Sequence, residues 1–235
     1  KTVCDQAGVS MVAINTSAAG LDINENVGAL YASNLAPKVK DGGFDVGFAY
    51  DGDADRLIAV DENGNVVDGD HLLYILACEA QRRGHLETGS VVGTHHTNMG
   101  VQEALENKGI KLVRADIGDK YVLEQMLKDG SPLGAEQSGH IILGRHTTTG
   151  DGVLASLVVA QIIADSGKTL SQLDEAKGYA QVNINVPVSD KLRIINSEAV
   201  TNEVGKVYEE LAGQGRVLLR ASGTEPKIRI MVECK

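Results

Sequence analysis

Asp51, Asp53 and Asp55 stand at alternate positions of the segment Asp51-Gly52-Asp53-Ala54-Asp55-Arg56. Carboxylates so close together repel one another unless a cation or an arginine compensates them, and their oxygens are the ligands that hard cations such as Mg²⁺ prefer. With the small residues Gly52 and Ala54 between them, a tight turn can aim all three at one point, with the Arg56 charge alongside. The flanks, 44–50 and 57–60, are apolar and strand-like, unlike those of an ordinary solvated acidic turn, which is the competing description. An EF-hand would match Asp51, Asp53, Asp55 and Glu62, but it needs helical flanks and a glycine at loop position six, where Arg56 stands.

Two further segments carry chemistry. Ala135-Glu136-Gln137-Ser138-Gly139-His140 gathers a carboxylate, an amide, a hydroxyl and an imidazole around one glycine. Taken alone it reads as a polar turn between strands. Its groups could also hydrogen-bond vicinal hydroxyls, and His140 could exchange a proton near neutral pH. Arg220-Ala221-Ser222-Gly223-Thr224-Glu225-Pro226-Lys227-Ile228-Arg229 joins two strand-like runs. Hydroxyls at Ser222 and Thr224, the backbone around Gly223 and arginines at both ends suit a phosphate dianion, with a plain basic hairpin as the alternative. Alternation puts Ile228, Ile230 and Val232 on one face and Arg229 on the other. Asp151, just before an apolar helical run, reads as a helix N-cap. His95-His96 has no third residue at metal-like spacing and reads as loop surface, and Lys120 as a surface lysine at a helix start.

The elements that must hold these segments alternate between strand and helix. Strands are expected at 9–14, 44–50, 57–60, 66–67, 90–94, 111–115 and 141–143, with a hairpin turn at Asn63-Gly64. Helices are expected over 70–83, 101–108, 120–128 and 151–165. The stretch 27–40 reads as partly helical, interrupted by Pro37. Residues 166–178 are polar and weakly patterned and read as a linker and hinge. Beyond them lie strands at 181–188, 216–220 and 228–232 and a helix over 197–211. The fold class is therefore α/β: mixed, largely parallel sheets covered by helices in two α/β domains, the first incomplete, plus a small C-terminal α+β domain. The expected boundaries are 1–68, 69–172 and 173–235.

Composition narrows the function. The 235 residues carry 22 Lys and Arg against 32 Asp and Glu, a net charge of −10, which argues against a general nucleic-acid or anionic-membrane binder. Two Phe, six Tyr and no Trp leave a core of aliphatic residues and no stacking platform. Three cysteines without a CxxC pair point to a reducing compartment rather than a disulfide framework. The longest apolar run, 153–164, is too short for a bilayer. The first residue is Lys1 rather than Met, as expected of a piece of something longer.

The three segments, in this order, resemble the α-D-phosphohexomutase superfamily: DGDADR at 51–56 its metal-binding loop, AEQSGH at 135–140 its sugar-binding loop, and RASGTEPKIR at 220–229 its phosphate-binding loop. The glutamine form of the sugar loop, LDINEN at 21–26, DENGNVVDGD at 61–70 and TTGDG at 148–152 are similar to its bacterial phosphoglucosamine mutase branch. Ala135 stands where the family has glycine, and 28–35 and 95–97 differ from that branch. The resemblance implies a cytoplasmic isomerase that interconverts glucosamine 6-phosphate and glucosamine 1-phosphate by phosphoryl transfer through a phosphoserine. It implies Mg²⁺ on Asp51, Asp53 and Asp55, and Arg56 and His140 as catalytic groups. Glu136 and Ser138 would hold the sugar. Arg220, Ser222, Gly223, Thr224 and Arg229 would hold the phosphate that is not reacting. The family's phosphoserine loop, Ser-His-Asn-Pro-like, has no counterpart here, so the nucleophile is expected on an N-terminal domain outside these residues, and this chain alone is expected to be inactive. A mutase for mannose or glucose phosphates, or a non-catalytic metal- and sugar-phosphate-binding fragment, are the alternatives.

Overall fold

The central strand of the first sheet shows how the acidic turn is held. In the computed structural model, which describes residues 2–16, 20–223 and 225–235, the strand Leu57–Asp61 (β2) has all five residues buried. It runs antiparallel to Val46–Tyr50 (β1) and to Val66–Val67 (β3), in the order β1-β2-β3. The acidic turn is the β1–β2 connection, and the turn around Gly64 is the β2–β3 connection, as the Asn-Gly pair implies. Asp61 ties that second turn by accepting from the backbone N–H of Asn63 (2.9 Å) and Asn65 (2.7 Å).

Contacts group the chain into two compact units, Lys1–Thr97 with Ala104–Ala176, and Asn98–Glu103 with Lys177–Lys235. The first unit holds a short helix, Thr2–Gln6 (α1), a 3₁₀ turn at Ala29–Asn34 and a helix at Ala36–Gly42 (α2), all before β1. Pro37 begins α2 rather than interrupting a helix, because a missing N–H is harmless in the first turn. Residues 9–14 form no strand. Val9, Val12 and Ile14 are exposed, and their apolar pattern finds no pairing neighbour among the described residues.

After β3 come Gly69–Arg82 (α3), Ser90–Thr94 (β4), Met99–Asn107 (α4), Lys111–Ala115 (β5), Asp119–Asp129 (α5), Leu133–Ala135 (β6), Ile141–Leu143 (β7) and Gly152–Ser166 (α6). The second sheet has the order β5-β4-β6-β7. Parallel pairing joins β4 to β5 and to β6, while β6 and β7 are antiparallel. Every residue of β4 is buried, as expected of a parallel strand covered on both faces. Val92, Ala115, Val122, Met126 and Ile142 form a core beneath α5.

The stretch read as a linker is tied into this unit up to Ala176. It contains a one-turn helix, Leu170–Leu173 (α7), with Leu170 fully buried. Its polar residues are spent on the unit itself. Ser171 donates to Glu62, Asp174 meets His71 Nδ1 at 2.7 Å, and Glu175 meets Lys108 at 2.7 Å.

The second unit is an antiparallel sheet of Ala180–Pro187 (β8), Gly215–Ala221 (β9) and Lys227–Cys234 (β10), in the order β8-β10-β9. It carries the helices Lys191–Ile195 (α8) and Glu198–Leu211 (α9). Ile228 is buried on the expected face of β10, but Met231 and Glu233, which share the Arg229 face, are buried too. Glu233 is fully buried. It accepts from Met99 N–H (2.8 Å) and pairs with Arg216 (2.6 Å). Among the described residues no helix is long and apolar enough to cross a membrane.

Candidate functional site

The β1–β2 turn brings one carboxylate oxygen each of Asp51, Asp53 and Asp55 within 4.8 Å of one another. The turn closes with Ala54 N–H donating to the Asp51 carbonyl (3.1 Å), and Ala54 takes a left-handed φ of 59°. Arg56 donates its backbone N–H to Asp51 (3.1 Å), while its Nε lies 3.6 Å from Asp51 and 3.8 Å from Asp55. Burial, with the Asp55 carboxylate alongside, holds the Asp51 carboxyl above the usual range despite that N–H. Asp55 Oδ1 is buried and has no hydrogen-bond partner. An orphaned anionic oxygen among crowded carboxylates fits a hard divalent cation, which would satisfy the oxygen and cancel the repulsion.

The sugar-loop candidate lies against this turn within the same unit. Leu57 N–H donates to the Gly139 carbonyl (2.9 Å), and Arg56 and His140 form an isolated antiparallel bridge. A tight turn, Gly139 N–H to the Glu136 carbonyl (2.9 Å), leaves Ser138 exposed and buries His140. His140 Nδ1 meets Asp55 Oδ2 at 3.1 Å, and its Nε2 accepts Gly150 N–H at 3.0 Å. Glu136, partly buried, accepts from Gly118 N–H at 2.9 Å.

The segment 148–152 packs behind the acidic turn. Asp151 caps α6 by accepting from Leu154 N–H (2.9 Å), as the sequence implies. Gly152 N–H donates to the Ala54 carbonyl (2.9 Å). A Cβ on Gly150 would stand 2.6 Å from the Asp55 carbonyl, and one on Gly152 2.6 Å from the Arg56 carbonyl. Only glycine lets the backbones approach so closely.

In the second unit, Arg220 and Arg229 are direct cross-strand partners on β9 and β10. Like charges so placed repel unless an anion sits with them. Glu225 partly fills that role, at 3.0 Å from Arg229 and 2.6 Å from Lys227. Ser222 accepts from Glu225 N–H (3.3 Å), bracing the loop. Thr224 lies outside the described residues. Lys191, which the sequence reading did not single out, points its ammonium at the carbonyls of Ser222 (2.5 Å), Glu225 (3.4 Å) and Gly223 (3.5 Å). Gly118, Gly150 and Lys191 act through contacts 18, 10 and 31 residues away, for which composition carries no signal, whereas Glu225 acts within its own loop. His95 is exposed, 3.5 Å from Asp116, and Lys120 is exposed, 3.8 Å from Glu124.

Residues 68–178 match the model of the phosphoglucomutase/phosphomannomutase alpha/beta/alpha domain III, and residues 183–235 that of the phosphoglucomutase/phosphomannomutase C-terminal domain. The chain belongs to the phosphoglucomutase/phosphomannomutase family. It is 49% identical over 226 residues to a phosphoglucosamine mutase of Geobacillus kaustophilus, covering 96% of this chain and 50% of the relative. It is 48% identical over 235 residues to that of Actinobacillus succinogenes, covering all of this chain and 53% of the relative. The chain thus spans about half the length of the curated relatives it matches.

Solved structures share the fold. A phosphoglucomutase/phosphomannomutase family protein from Burkholderia thailandensis superposes with a TM-score of 0.78 at 20% identity, over 99% of this chain and 52% of that one. Aspergillus fumigatus N-acetylphosphoglucosamine mutase, solved with GlcNAc-6P and magnesium, gives 0.73 at 21% identity, over 90% and 50%.

Proposed function

We propose that this chain supplies the metal, sugar and phosphate grips of a cytoplasmic phosphohexomutase that interconverts glucosamine 6-phosphate and glucosamine 1-phosphate. The proposed parts are a metal-binding portion at 1–68, a sugar-binding domain at 69–172 and a phosphate-binding domain at 173–235. The observation that carries the reading is the trio of Asp51, Asp53 and Asp55, converging on one point with a buried oxygen of Asp55 left unsatisfied. Phosphoglucosamine mutase relatives at 44–50% identity support the sugar.

Bound at the trio, Mg²⁺ would neutralise charge on the transferring phosphoryl group. Arg56 donates its backbone N–H to the Asp51 carboxylate and sets a guanidinium beside the trio. Glu136 is anchored by Gly118 N–H, which orients its carboxylate toward sugar hydroxyls next to the exposed Ser138 hydroxyl. Arg220 and Arg229, opposite one another, with Ser222, Gly223 and Thr224 in their loop, would grip the spectator phosphate, displacing Glu225 from Arg229. Such a grip orients the sugar without chemistry of its own. The phosphoserine nucleophile comes from outside these residues, so the chain by itself binds and does not turn over.

Calorimetry of the chain with Mg²⁺ and glucosamine 6-phosphate should show binding of both, with Mg²⁺ binding lost in Asp53→Asn. Incubation with glucosamine 6-phosphate, Mg²⁺ and the hexosamine bisphosphate should yield no glucosamine 1-phosphate. Sustained product from a sample shown by mass to hold no longer chain would overturn the assignment of an outside nucleophile. Absence of Mg²⁺ binding would overturn the metal site.

A further inference from the structure

We infer that the Glu225 carboxylate is the phosphate loop's own counter-anion, a tethered competitor that a ligand phosphate must displace and that keeps the grip weak enough to release; this rests on the phosphate-binding reading above. Its two oxygens are split between two cations. One lies 2.6 Å from Lys227 Nζ and the other 3.0 Å from Arg229 Nη2. The Lys227 ammonium above all, with Arg229 alongside, holds the Glu225 carboxyl below the usual carboxylate range, so the competitor is charged at neutral pH.

The carboxylate occupies the arginine without filling it. Glu225 engages Arg229 Nη2, while Arg229 Nε is buried and has no hydrogen-bond partner among the described residues. A guanidinium binds an anion most strongly when two of its N–H groups engage it side by side. A phosphate, with a second charge and several free oxygens, suits Nε and Nη2 together, with Arg220 directly across on β9.

Glu225 can also let go without unmaking the loop, because its backbone does the bracing. Its N–H donates to Ser222 Oγ (3.3 Å), and its carbonyl accepts from Lys227 N–H (2.8 Å) and from Lys191 Nζ (3.4 Å). Ser222 N–H donates to the Lys227 carbonyl (2.9 Å) across the base of the loop. The Glu225 side chain is 45% exposed, and ion pairs so open to water are weak.

The consequence falls on affinity. A site whose open form is populated about one time in ten binds about tenfold more weakly than the open form itself. Tight holding of a group that does not react adds nothing to the chemical step, so the competitor takes nothing from it. Removing the hydroxyls or arginines of this loop should weaken phosphate binding; removing the Glu225 carboxylate should strengthen it.

The test is inorganic phosphate titrated calorimetrically into the 235-residue chain without divalent cations, for the parent chain and for Glu225→Gln, Glu225→Ala and Glu225→Asp. Gln keeps the size and loses the charge; Asp keeps the charge on a stem one methylene shorter. Glu225→Gln and Glu225→Ala are expected to bind phosphate about tenfold more tightly, and Glu225→Asp to show part of that gain. The Arg229 Nε–H resonance should move on saturation. Should Glu225→Gln fail to fold by circular dichroism, Glu225→Ala and Glu225→Asp decide. Equal or weaker binding in the folded charge-removing variants would overturn the inference alone. So would a gain absent from Glu225→Asp, which would mark repulsion at a distance rather than displacement. Phosphate binding that leaves Arg229 Nε–H unmoved, or no phosphate binding by the parent or any variant, would overturn the phosphate-binding reading and the inference with it.

Discussion

Gly152→Ala is the most direct probe of how the metal turn is built. Gly152 is the first residue of α6, where alanine is by itself welcome: the change should gain about 0.4–1 kcal/mol by restricting the unfolded chain. The surroundings reverse that sign. The new Cβ would meet the Arg56 carbonyl oxygen at 2.6 Å and the Ala54 carbonyl at 3.0 Å. Ordinary contact begins at 3.4 Å, so the metal turn and the start of α6 must part by about 0.8 Å. Neither atom is the end of a flexible side chain. Overpacking of this kind costs about 1–3 kcal/mol, leaving a net loss of about 1–2 kcal/mol. For a chain of this size that lowers the melting temperature by about 2–8 °C, readable by calorimetry. The shift also lengthens the Gly152 to Ala54 hydrogen bond and moves Asp55, so Mn²⁺ affinity should fall while far-ultraviolet circular dichroism stays unchanged. A Gly152→Ala chain that melts with the parent and binds Mn²⁺ equally would refute the packing argument.

Three other outcomes follow from features elsewhere. Burial alone would depress the His71 pKa, but the Asp174 carboxylate wins and holds it above the ordinary value. The pair's stabilisation is thus complete below the unfolded value, about pH 6.5, and is lost as pH rises through the folded one. Urea unfolding should accordingly show a larger penalty for His71→Gln at about pH 6 than at about pH 9. Lys191→Met removes a charged donor from three carbonyls of the phosphate loop and should weaken phosphate binding about tenfold by calorimetry, with Lys191→Arg recovering part of it. Glu233→Ala strips Arg216 of its buried partner and Met99 N–H of its acceptor, and should cost about 3–5 kcal/mol in denaturant unfolding.

The sequence was most legible where short apolar runs met clear stops. Residues 90–94, 111–115 and 141–143 are strands with the expected ends, each followed directly by glycine or a polar residue. The same logic failed at 9–14, because an apolar pattern proposes a face but cannot supply a neighbouring strand. One-turn helices such as α7 and α8 are too short to show a period of 3.6, and the polarity of 166–178 resembled a linker because its partners, Glu62 and His71, lie about a hundred residues away. The carboxylate trio was visible because its members are neighbours in sequence. The imidazole that braces it is 85 residues distant, and only the folded chain reveals that its two nitrogens are already taken.

The buried Glu233 bears on how such chains are recombined between relatives. Asn98 and Met99 belong to the second unit, yet they are encoded far upstream of it, between β4 and the rest of α4. Asn98 exchanges hydrogen bonds with the backbone of Tyr179, and Met99 N–H is satisfied by Glu233. A crossover at 176–177, the natural seam in a linear map, would draw these partners from different parents. Chimeras cut there should inherit mismatched pairs at the base of the C-terminal sheet unless residues 98–103 travel with it.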